Sequence, residues 1–310
     1  MVAPPRIPAR VSTVRRQFDA RAARFGERAA LPREVGQRLI ERLQYIRLAP
    51  RRILDLGCGG GQTKEPLLRQ YPRADWIGLD VSERMLTAAA SSGMHMRASR
   101  WLRGALTQRV AGDAGQLPIA DSSIDLVFSN LMLHWHPEPH AVFPEWKRVL
   151  KTDGLLMFSC FGPDTLKELR AAAAVALPNS RPMPFVDMHD FGDMMVASGF
   201  ATPVMDAEII TLTYASPQEL LREVRALGGN PRDDRARSLP SGRQARQMLS
   251  ALEAQRGGDG RIRLTFEVAY GHAWKPMAKG AASITAITVE TLRAELARRK
   301  TGRSEPGKQE

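Results

Sequence analysis

Cysteine is scarce in this chain, and long hydrophobic runs are missing from it. Cys58 and Cys160 are the only cysteines among 310 residues, and both stand in apolar surroundings. A disulfide framework is thereby excluded, and such low cysteine use is typical of a reducing compartment. No apolar run approaches the ~20 residues of a membrane span, and no secretory signal is apparent. The sequence therefore predicts a cytoplasmic protein.

Acidic residues are outnumbered by basic ones. Against 45 Lys and Arg stand 33 Asp and Glu, which gives a formal net charge of +12 at pH 7. This balance favours an acidic partner, such as nucleic acid, an anionic membrane surface or an acidic protein. The alternative is that the net charge reflects only a solvated Arg-rich surface. Aromatic residues make up 6% of the chain and are not interleaved with the basic ones. Nucleic acid is disfavoured, because base stacking needs aromatic side chains beside the cations.

The most informative segment runs from Ile53 to Gly61. It starts as a short apolar strand and continues as a loop in which every second residue is glycine: Gly57, Gly59 and Gly61. A second apolar run, about twenty residues further on, ends in Asp80. Glycines let a backbone turn tightly against a ligand, and an acid at this distance can bind ribose hydroxyls. The pattern predicts the nucleotide-binding half of a Rossmann-like βαβ unit.

The spacing of the loop discriminates between cofactors. A dinucleotide site has G-x-G-x-x-G, whose last glycine lets the helix approach the strand beside a pyrophosphate. Gln62 stands at that position here, and Asp55 stands two residues before the first glycine. This D-x-G-x-G-x-G form resembles motif I of the class I S-adenosylmethionine (AdoMet) methyltransferases. AdoMet is therefore favoured over NAD, and a glycine-rich turn without a ligand does not account for Asp80.

Later positions follow the order of the same family. Asp113 with Ala114 resembles the acid that binds the adenine amine after the third strand, and Asn130 follows the fourth strand, beside the reactive methyl group in this family. The resemblance implies the following cofactor-binding residues: Phe18, Asp55, Gly57, Gly59, Gly61, Asp80, Val81, Met85, Asp113, Ala114, Asn130 and Leu131.

Strands and helices alternate over roughly residues 52–160, which predicts a parallel sheet with right-handed crossovers. Ala207–Tyr214 and Ile262–Tyr270 are β-like, with two helical patterns between them. Together with the resemblance this predicts an α/β, Rossmann-like class I methyltransferase fold. Its seven-stranded sheet is expected to be mostly parallel, with an antiparallel edge and a helical lid insertion.

Three segments are expected along the chain: an N-terminal helical cap at 1–33, the methyltransferase domain at 34–275 with the insertion at about 215–260, and a C-terminal helix with a disordered tail at 276–310. The Arg-rich start is also compatible with a transit peptide, but Phe18 and Phe25 indicate an amphipathic helix that is retained.

A finer resemblance covers nearly the whole chain. The sequence is similar to the biotin-pathway malonyl-[acyl-carrier-protein] O-methyltransferases in these features: Arg16-Gln17-Phe18-Asp19, Ser129-Asn130-Leu131 followed by Trp135, the segment 216–221 leading to Leu227-Gly228-Gly229-Asn230, and the strand 264–268. The Leu-Gly-Gly-Asn segment is the most specific, because the generic fold does not require it. Gly60 departs from the proline of many relatives.

The resemblance implies esterification of a carboxylate that is already ionised near neutral pH, so no general base is needed. Catalysis then consists of holding the carboxylate oxygen opposite the sulfur and excluding water. A donor or cation should orient this anion. The candidates are His134, Arg16 and, in the insertion, Arg222 or Arg225, against the alternatives of a packed histidine and solvated arginines. No metal is predicted.

The partner implied by the resemblance is an acidic acyl carrier protein bearing a malonyl thioester. It would be steered by an Arg-rich face made of Arg222, Arg225, Arg232, Arg235, Arg237, Arg243 and Arg246. Three other functions remain open. The first is an AdoMet-dependent protein arginine hydroxylase or assembly factor, because related sequences include mitochondrial proteins of this kind. The second is a small-molecule or quinone methyltransferase, and the third is an AdoMet-binding protein without catalysis.

Overall fold

A computed structural model describes residues 7–90, 106–234 and 240–277. Its centre is a seven-stranded sheet with the strand order β3-β2-β1-β4-β5-β7-β6. The strands are β1 Arg52–Leu56, β2 Asp75–Asp80, β3 Thr107–Ala111, β4 Ile124–Asn130, β5 Leu150–Phe161, β6 Ala201–Tyr214 and β7 Ile262–Trp274. Neighbours among β1 to β5 pair in parallel, whereas β7 runs antiparallel to both β5 and β6. The predicted seven strands and antiparallel edge are confirmed.

Helices cover both faces of this sheet. They are α1 Val11–Asp19, α2 Ala22–Arg28, α3 Ala30–Leu43, α4 Lys64–Gln70, α5 Glu83–Ala90, α6 Pro139–Val149, α7 Lys167–Ala176, α8 Met188–Ala197, α9 Pro217–Leu227 and α10 Gly242–Glu253, with a 3₁₀ turn at Leu133–Trp135. The helical insertion between β6 and β7 is as predicted. No helix in the described ranges is long and apolar enough to cross a membrane.

Two hydrophobic clusters form, one on each side of the sheet, because successive side chains of a strand point to opposite faces. Ile53 belongs to the cluster that includes α3, α4 and α9, and the next residue, Leu54, belongs to the cluster that includes α6 and α8. After β1 the chain forms β2 and β3 on one side of β1, and it then crosses over to form β4 on the other side. Such a switch in strand order opens a crevice at the carboxyl ends of the strands, which is where ligands bind in this architecture.

Two helix starts differ from the sequence prediction. Helical spacing predicts a helix over 34–48, but α3 begins at Ala30, because Pro32 in the first helical turn is tolerated. The predicted boundary at 33/34 therefore falls inside α3. Asp164 is predicted to cap α7, yet that helix begins at Lys167, after Leu166 with a left-handed φ of 59°. The predicted C-terminal helix lies outside the described residues.

Gly78→Ala is expected to destabilise the protein by about 1–3 kcal/mol, the usual effect of overpacking. A Cβ at Gly78 would lie 2.0 Å from Cη2 of Trp76, whose indole is fully buried. The measurement is the free energy of unfolding. Gly26→Ala is the matched control, because nothing lies within 4 Å of its Cβ and alanine is the better helix former in α2. Equal stability of the two variants would contradict the packing assigned to Trp76.

Candidate functional site

A cavity lies at the carboxyl ends of β1, β2 and β4, in the crevice that the topology creates. Twelve of the predicted site residues line it: Phe18, Asp55, Gly57, Gly59, Asp80, Val81, Met85, Asp113, Ala114, Asn130, Leu131 and His134. Two do not. Gly61 closes the turn of the loop, where its N–H donates to the Cys58 carbonyl at 2.8 Å. Arg16 is exposed and donates to the Thr13 hydroxyl at 3.4 Å.

The glycine loop is pressed between β2 and the turn after β4. Gly57 has a φ of +67°, and a Cβ there would lie 2.2 Å from Cγ of Met132. Its N–H donates to the carbonyl of Leu79 at 2.8 Å, and the Gly59 N–H donates to the Asp80 carboxylate at 2.9 Å. Only glycine satisfies both the left-handed backbone and the close contact at position 57.

Asp80 ends β2 with both carboxylate oxygens engaged by backbone amides. One oxygen accepts from Gly59, and the other accepts from the Ser82 N–H at 2.8 Å. Burial raises the pKa of Asp80 to about 6, although the two amide bonds act in the opposite direction. Asp19 of α1 adds a further acid nearby and accepts from the Ser82 hydroxyl at 2.6 Å.

Asp55 lies deeper, with 1% of its surface exposed. Its Oδ2 accepts hydrogen bonds from the Thr63 hydroxyl at 2.7 Å and from Nε1 of Trp76 at 3.2 Å. Both donors are neutral, and burial raises the pKa of Asp55 to about 7. The partners of this acid were not predicted from the sequence, because Thr63 and Trp76 reach it only through the fold.

Buried carboxylates held by neutral donors suit a cationic ligand. AdoMet carries a sulfonium and an ammonium, whereas the pyrophosphate of a dinucleotide would bring further negative charge beside Asp55 and Asp80. Uncompensated burial of like charges is costly, so the pair discriminates against the dinucleotide. The residues of the cavity therefore fit AdoMet, and this agrees with the loop spacing.

Two N-terminal helices cover the cavity with aromatic side chains. Phe18 of α1 contacts Phe25 of α2 edge-on, with ring centroids 6.1 Å apart. Phe18 also contacts Trp135 at 5.3 Å with an angle of 88° between the rings. All three side chains line the cavity. We refer to α1 and α2 as the roof.

Asn130 lines the cavity, but its amide is already engaged. The Nδ2 group donates to the Pro32 carbonyl at 2.8 Å, and Oδ1 accepts from the Ser159 hydroxyl at 2.8 Å. The neighbouring Leu131 has a φ of 51° and donates its N–H to the same hydroxyl. Asn130 thus ties α3 to the ends of β4 and β5.

His134 is buried, with an unusual hydrogen-bonding state. Its Nδ1 accepts from the Phe161 N–H at 3.4 Å, while Nε2 is buried without a partner among the described residues. Burial lowers the pKa of His134 to about 3, so the imidazole is neutral. Since Nδ1 is the acceptor, we assign the ring proton to Nε2. A buried donor without a partner remains at the cavity wall.

Asp113 has a partner that the resemblance did not supply. Its Oδ1 lies 3.2 Å from Nε2 of His136 and accepts from the Gly115 N–H at 2.9 Å. The contact with His136 holds the pKa of Asp113 below its usual value. Across the described ranges, no group of three or more His, Cys, Asp or Glu side chains is placed to hold a metal ion.

Comparisons with known proteins agree with this geometry. A family model described as a methyltransferase domain matches residues 54–158. A malonyl-[acyl-carrier protein] O-methyltransferase of Laribacter hongkongensis is 45% identical over 86% of this chain and 90% of the relative. Another, from Halorhodospira halophila, is 44% identical over 84% of this chain and 86% of the relative. The crystal structure of the YcgJ protein from Bacillus subtilis has the same fold, with a TM-score of 0.52 and 17% identity over 77% of this chain and 98% of that one.

Proposed function

The chain belongs to the malonyl-[acyl-carrier protein] O-methyltransferase family, and we propose that it methylates the free carboxylate of a malonyl thioester carried by an acyl carrier protein. The observation that carries the proposal is the identity of 45% to such an enzyme over 90% of its length. The similarity extends through the insertion between β6 and β7, outside the segment 54–158 of the methyltransferase model. We place the activity in the cytoplasm, consistent with the two free, buried cysteines.

When bound, AdoMet supplies an electrophilic methyl group on a positively charged sulfur. Asp80 is proposed to accept from its ribose hydroxyls, and Asp55 to balance its positive charge. Phe18 and Phe25 exclude water from above, because α1 and α2 place both rings over the cavity. Exclusion of water favours attack, since a desolvated carboxylate is the better nucleophile.

The acceptor carboxylate needs orientation but no base. His134 is neutral, so it acts by donating from Nε2 rather than as a cation. Of the predicted orienting residues, His134 is the one that lines the cavity, whereas Arg16, Arg222 and Arg225 are exposed. We assign the orienting role to His134, and the role of Arg16 stays a prediction.

His134→Phe is expected to lower kcat about tenfold, the effect of losing one hydrogen bond that orients the acceptor carboxylate. In the wild type the ring centroids of His134 and Phe161 are 4.5 Å apart. Phenylalanine keeps this ring contact and removes the Nε2 donor. The dissociation constant of AdoMet should stay unchanged. The readouts are kcat from methyl transfer and AdoMet binding by calorimetry. The control is His189→Phe, because the ring of His189 is exposed on α8. An unchanged kcat in His134→Phe would contradict the orienting role of His134.

The Arg-rich face supports an acidic partner. Arg222 and Arg225 on α9, and Arg243 and Arg246 on α10, are exposed. Arg232 is held by Asp234 at 2.7 Å, and Arg235 and Arg237 lie outside the described residues. We propose that the carrier protein approaches this face, and that the segment 1–33, which includes the roof, acts as a cap.

A methyl-transfer assay tests the proposed function. Radiolabelled AdoMet is offered with malonyl-carrier protein, malonyl-CoA or free malonate. The expected product is a base-labile methyl ester on the carrier-bound malonyl group, lost in Asp55→Ala. If AdoMet binds but no ester forms on any malonyl acceptor, the proposal fails, and arginine hydroxylation or methylation of another small molecule takes its place.

A further inference from the structure

A second cavity, of about 280 Å³, adjoins the first. The two have three lining residues in common: Trp135, Phe161 and Leu227. These apolar side chains form the wall between the cavities, on the side where the orienting His134 contacts Trp135 and Phe161. The second cavity therefore leads away from the reacting end of the first.

The second cavity lies between the insertion, α7, the segment 180–185 and β7. Its wall is mostly apolar, with contributions from Leu166, Leu169, Ala173, Met183, Phe185, Leu221, Val224, Met248 and Phe266. Its polar lining includes Arg170, Arg181 and Asn230. A malonyl group is short and charged, so it matches neither the size nor the chemistry of this wall. An occupant with apolar stretches and a few polar groups fits better.

The Leu-Gly-Gly-Asn segment shapes the wall between the cavities. Gly228 has a φ of +139°, and a Cβ there would lie 2.4 Å from Cη2 of Trp135. Its missing side chain lets the backbone press against the indole. Asn230 then donates from Nδ2 to the Arg181 carbonyl at 2.8 Å and accepts the Arg232 N–H at 3.1 Å. The segment thus fixes both the dividing wall and the charged rim.

The charge at the rim is positive. Arg181 and Arg232 share one oxygen of Asp234, at 3.0 and 2.7 Å, so two guanidinium groups are balanced by a single carboxylate. Arg181 is also exposed, with 63% of its side chain accessible. A guanidinium with this exposure is available to a phosphate group.

Resting on the proposed function, we propose that the second cavity binds the pantetheine arm that joins the malonyl group to its carrier. The malonyl carboxylate reaches past Trp135 to His134, the methylene and dimethyl groups of the arm lie against the apolar wall, and its phosphate lies near Arg181. This assignment explains why a site for a small acid adjoins a larger apolar space.

Ala173→Phe tests the assignment, with Ala174→Phe as the matched control. Both residues lie in α7, but Ala173 lines the cavity and Ala174 is exposed. In Ala173→Phe we expect the KM for malonyl-pantetheine to rise about tenfold, the loss of part of the apolar contact. The KM for the malonyl thioester of ethanethiol, which lacks the arm, and the affinity for AdoMet should stay unchanged. Ala174→Phe should behave as the wild type with both acceptors.

The wild-type protein separates the two proposals. If it methylates no malonyl thioester, the proposed function fails. If it methylates both thioesters with the same KM, the function stands and the cavity assignment is overturned. An equal KM for malonyl-pantetheine in Ala173→Phe and Ala174→Phe overturns it as well. Thermal unfolding shows whether Ala173→Phe folds; if it does not, Val224→Phe, which narrows the cavity from α9, takes its place with the same expected result.

Discussion

Asp80→Asn is expected to weaken the binding of AdoMet about a hundredfold, equivalent to about 2.7 kcal/mol. Asparagine retains the shape of the side chain but removes the negative charge that would accept from ribose hydroxyls. It also replaces one acceptor oxygen by an NH₂ group, which then faces the N–H of either Gly59 or Ser82. Charge-assisted hydrogen bonds contribute roughly 1.5–3 kcal/mol each, and the glycine loop loses one of its anchors as well.

Calorimetric titration with AdoMet measures this effect. Glu83→Gln is the matched control, because this exposed acid lies three residues further on in α5 and does not line the cavity. Thermal unfolding of the ligand-free variant separates loss of binding from loss of the fold. A dissociation constant close to that of the wild type, in a folded Asp80→Asn protein, would contradict the ribose-binding role of Asp80.

The affinity for AdoMet is expected to fall steeply as the pH is lowered through about 7 to about 6. In the ligand-free protein, burial raises the pKa of Asp55 to about 7 and that of Asp80 to about 6. A cationic ligand favours the ionised carboxylates, so binding releases the protons that these groups carry below their pKa values. Each proton released corresponds to a change of up to tenfold in affinity per pH unit.

The same groups contribute to the pH dependence of stability. An unfolded Asp loses its proton near pH 4, whereas folded Asp55 retains it to about pH 7. Between these values folded Asp55 binds a proton that the unfolded chain has lost, so its contribution to stability falls as the pH rises through this window. His134 contributes in the opposite direction, because burial lowers its pKa to about 3 and the unfolded state takes up that proton first. Bound AdoMet should remove the contribution of Asp55, because it keeps the carboxylate ionised in the folded state.

The measurements are AdoMet affinity between about pH 5.5 and about pH 7.5, the range of the raised carboxyl pKa values, and proton release in buffers of different ionisation enthalpy. Asp55→Asn should flatten the part of the profile near pH 7. A wild-type affinity that stays constant over this range would show that neither Asp55 nor Asp80 loses a proton when AdoMet binds.

Local sequence patterns were sufficient for the parts of the site that lie within one βαβ unit. The D-x-G-x-G-x-G loop and Asp80 were identified because strand, turn and acid are fixed by short-range spacing. The alternation of strands and helices predicted a parallel sheet with right-handed crossovers. Together with the family resemblance, these patterns predicted the fold class and twelve of the residues that line the cavity.

Contacts between distant segments were not predictable in the same way. Asn130 is hydrogen-bonded to Pro32 and Ser159, and Asp113 is hydrogen-bonded to His136. These contacts depend on tertiary packing, which leaves no periodic signal in the sequence. The second cavity was missed because it exists only where α7, α9 and α10 meet. The Leu-Gly-Gly-Asn segment is part of the family resemblance, but its physical role depends on the close approach of Gly228 to Trp135 in the fold.

The roof is bound to the insertion by hydrogen bonds across the whole fold. The Thr13 hydroxyl donates to Asp233 at 3.0 Å over a separation of 220 residues, and Arg21 donates to the Arg225 carbonyl at 2.6 Å. At translation rates of about 5–20 residues per second, α1 leaves the ribosome roughly 10–40 s before these partners are made. The cover of the catalytic crevice is thus synthesised well before its two hydrogen-bond partners in the insertion. Before the insertion has been made, the hydrogen bond from Ser82 to Asp19 can hold the roof, but the bonds from Thr13 and Arg21 cannot form.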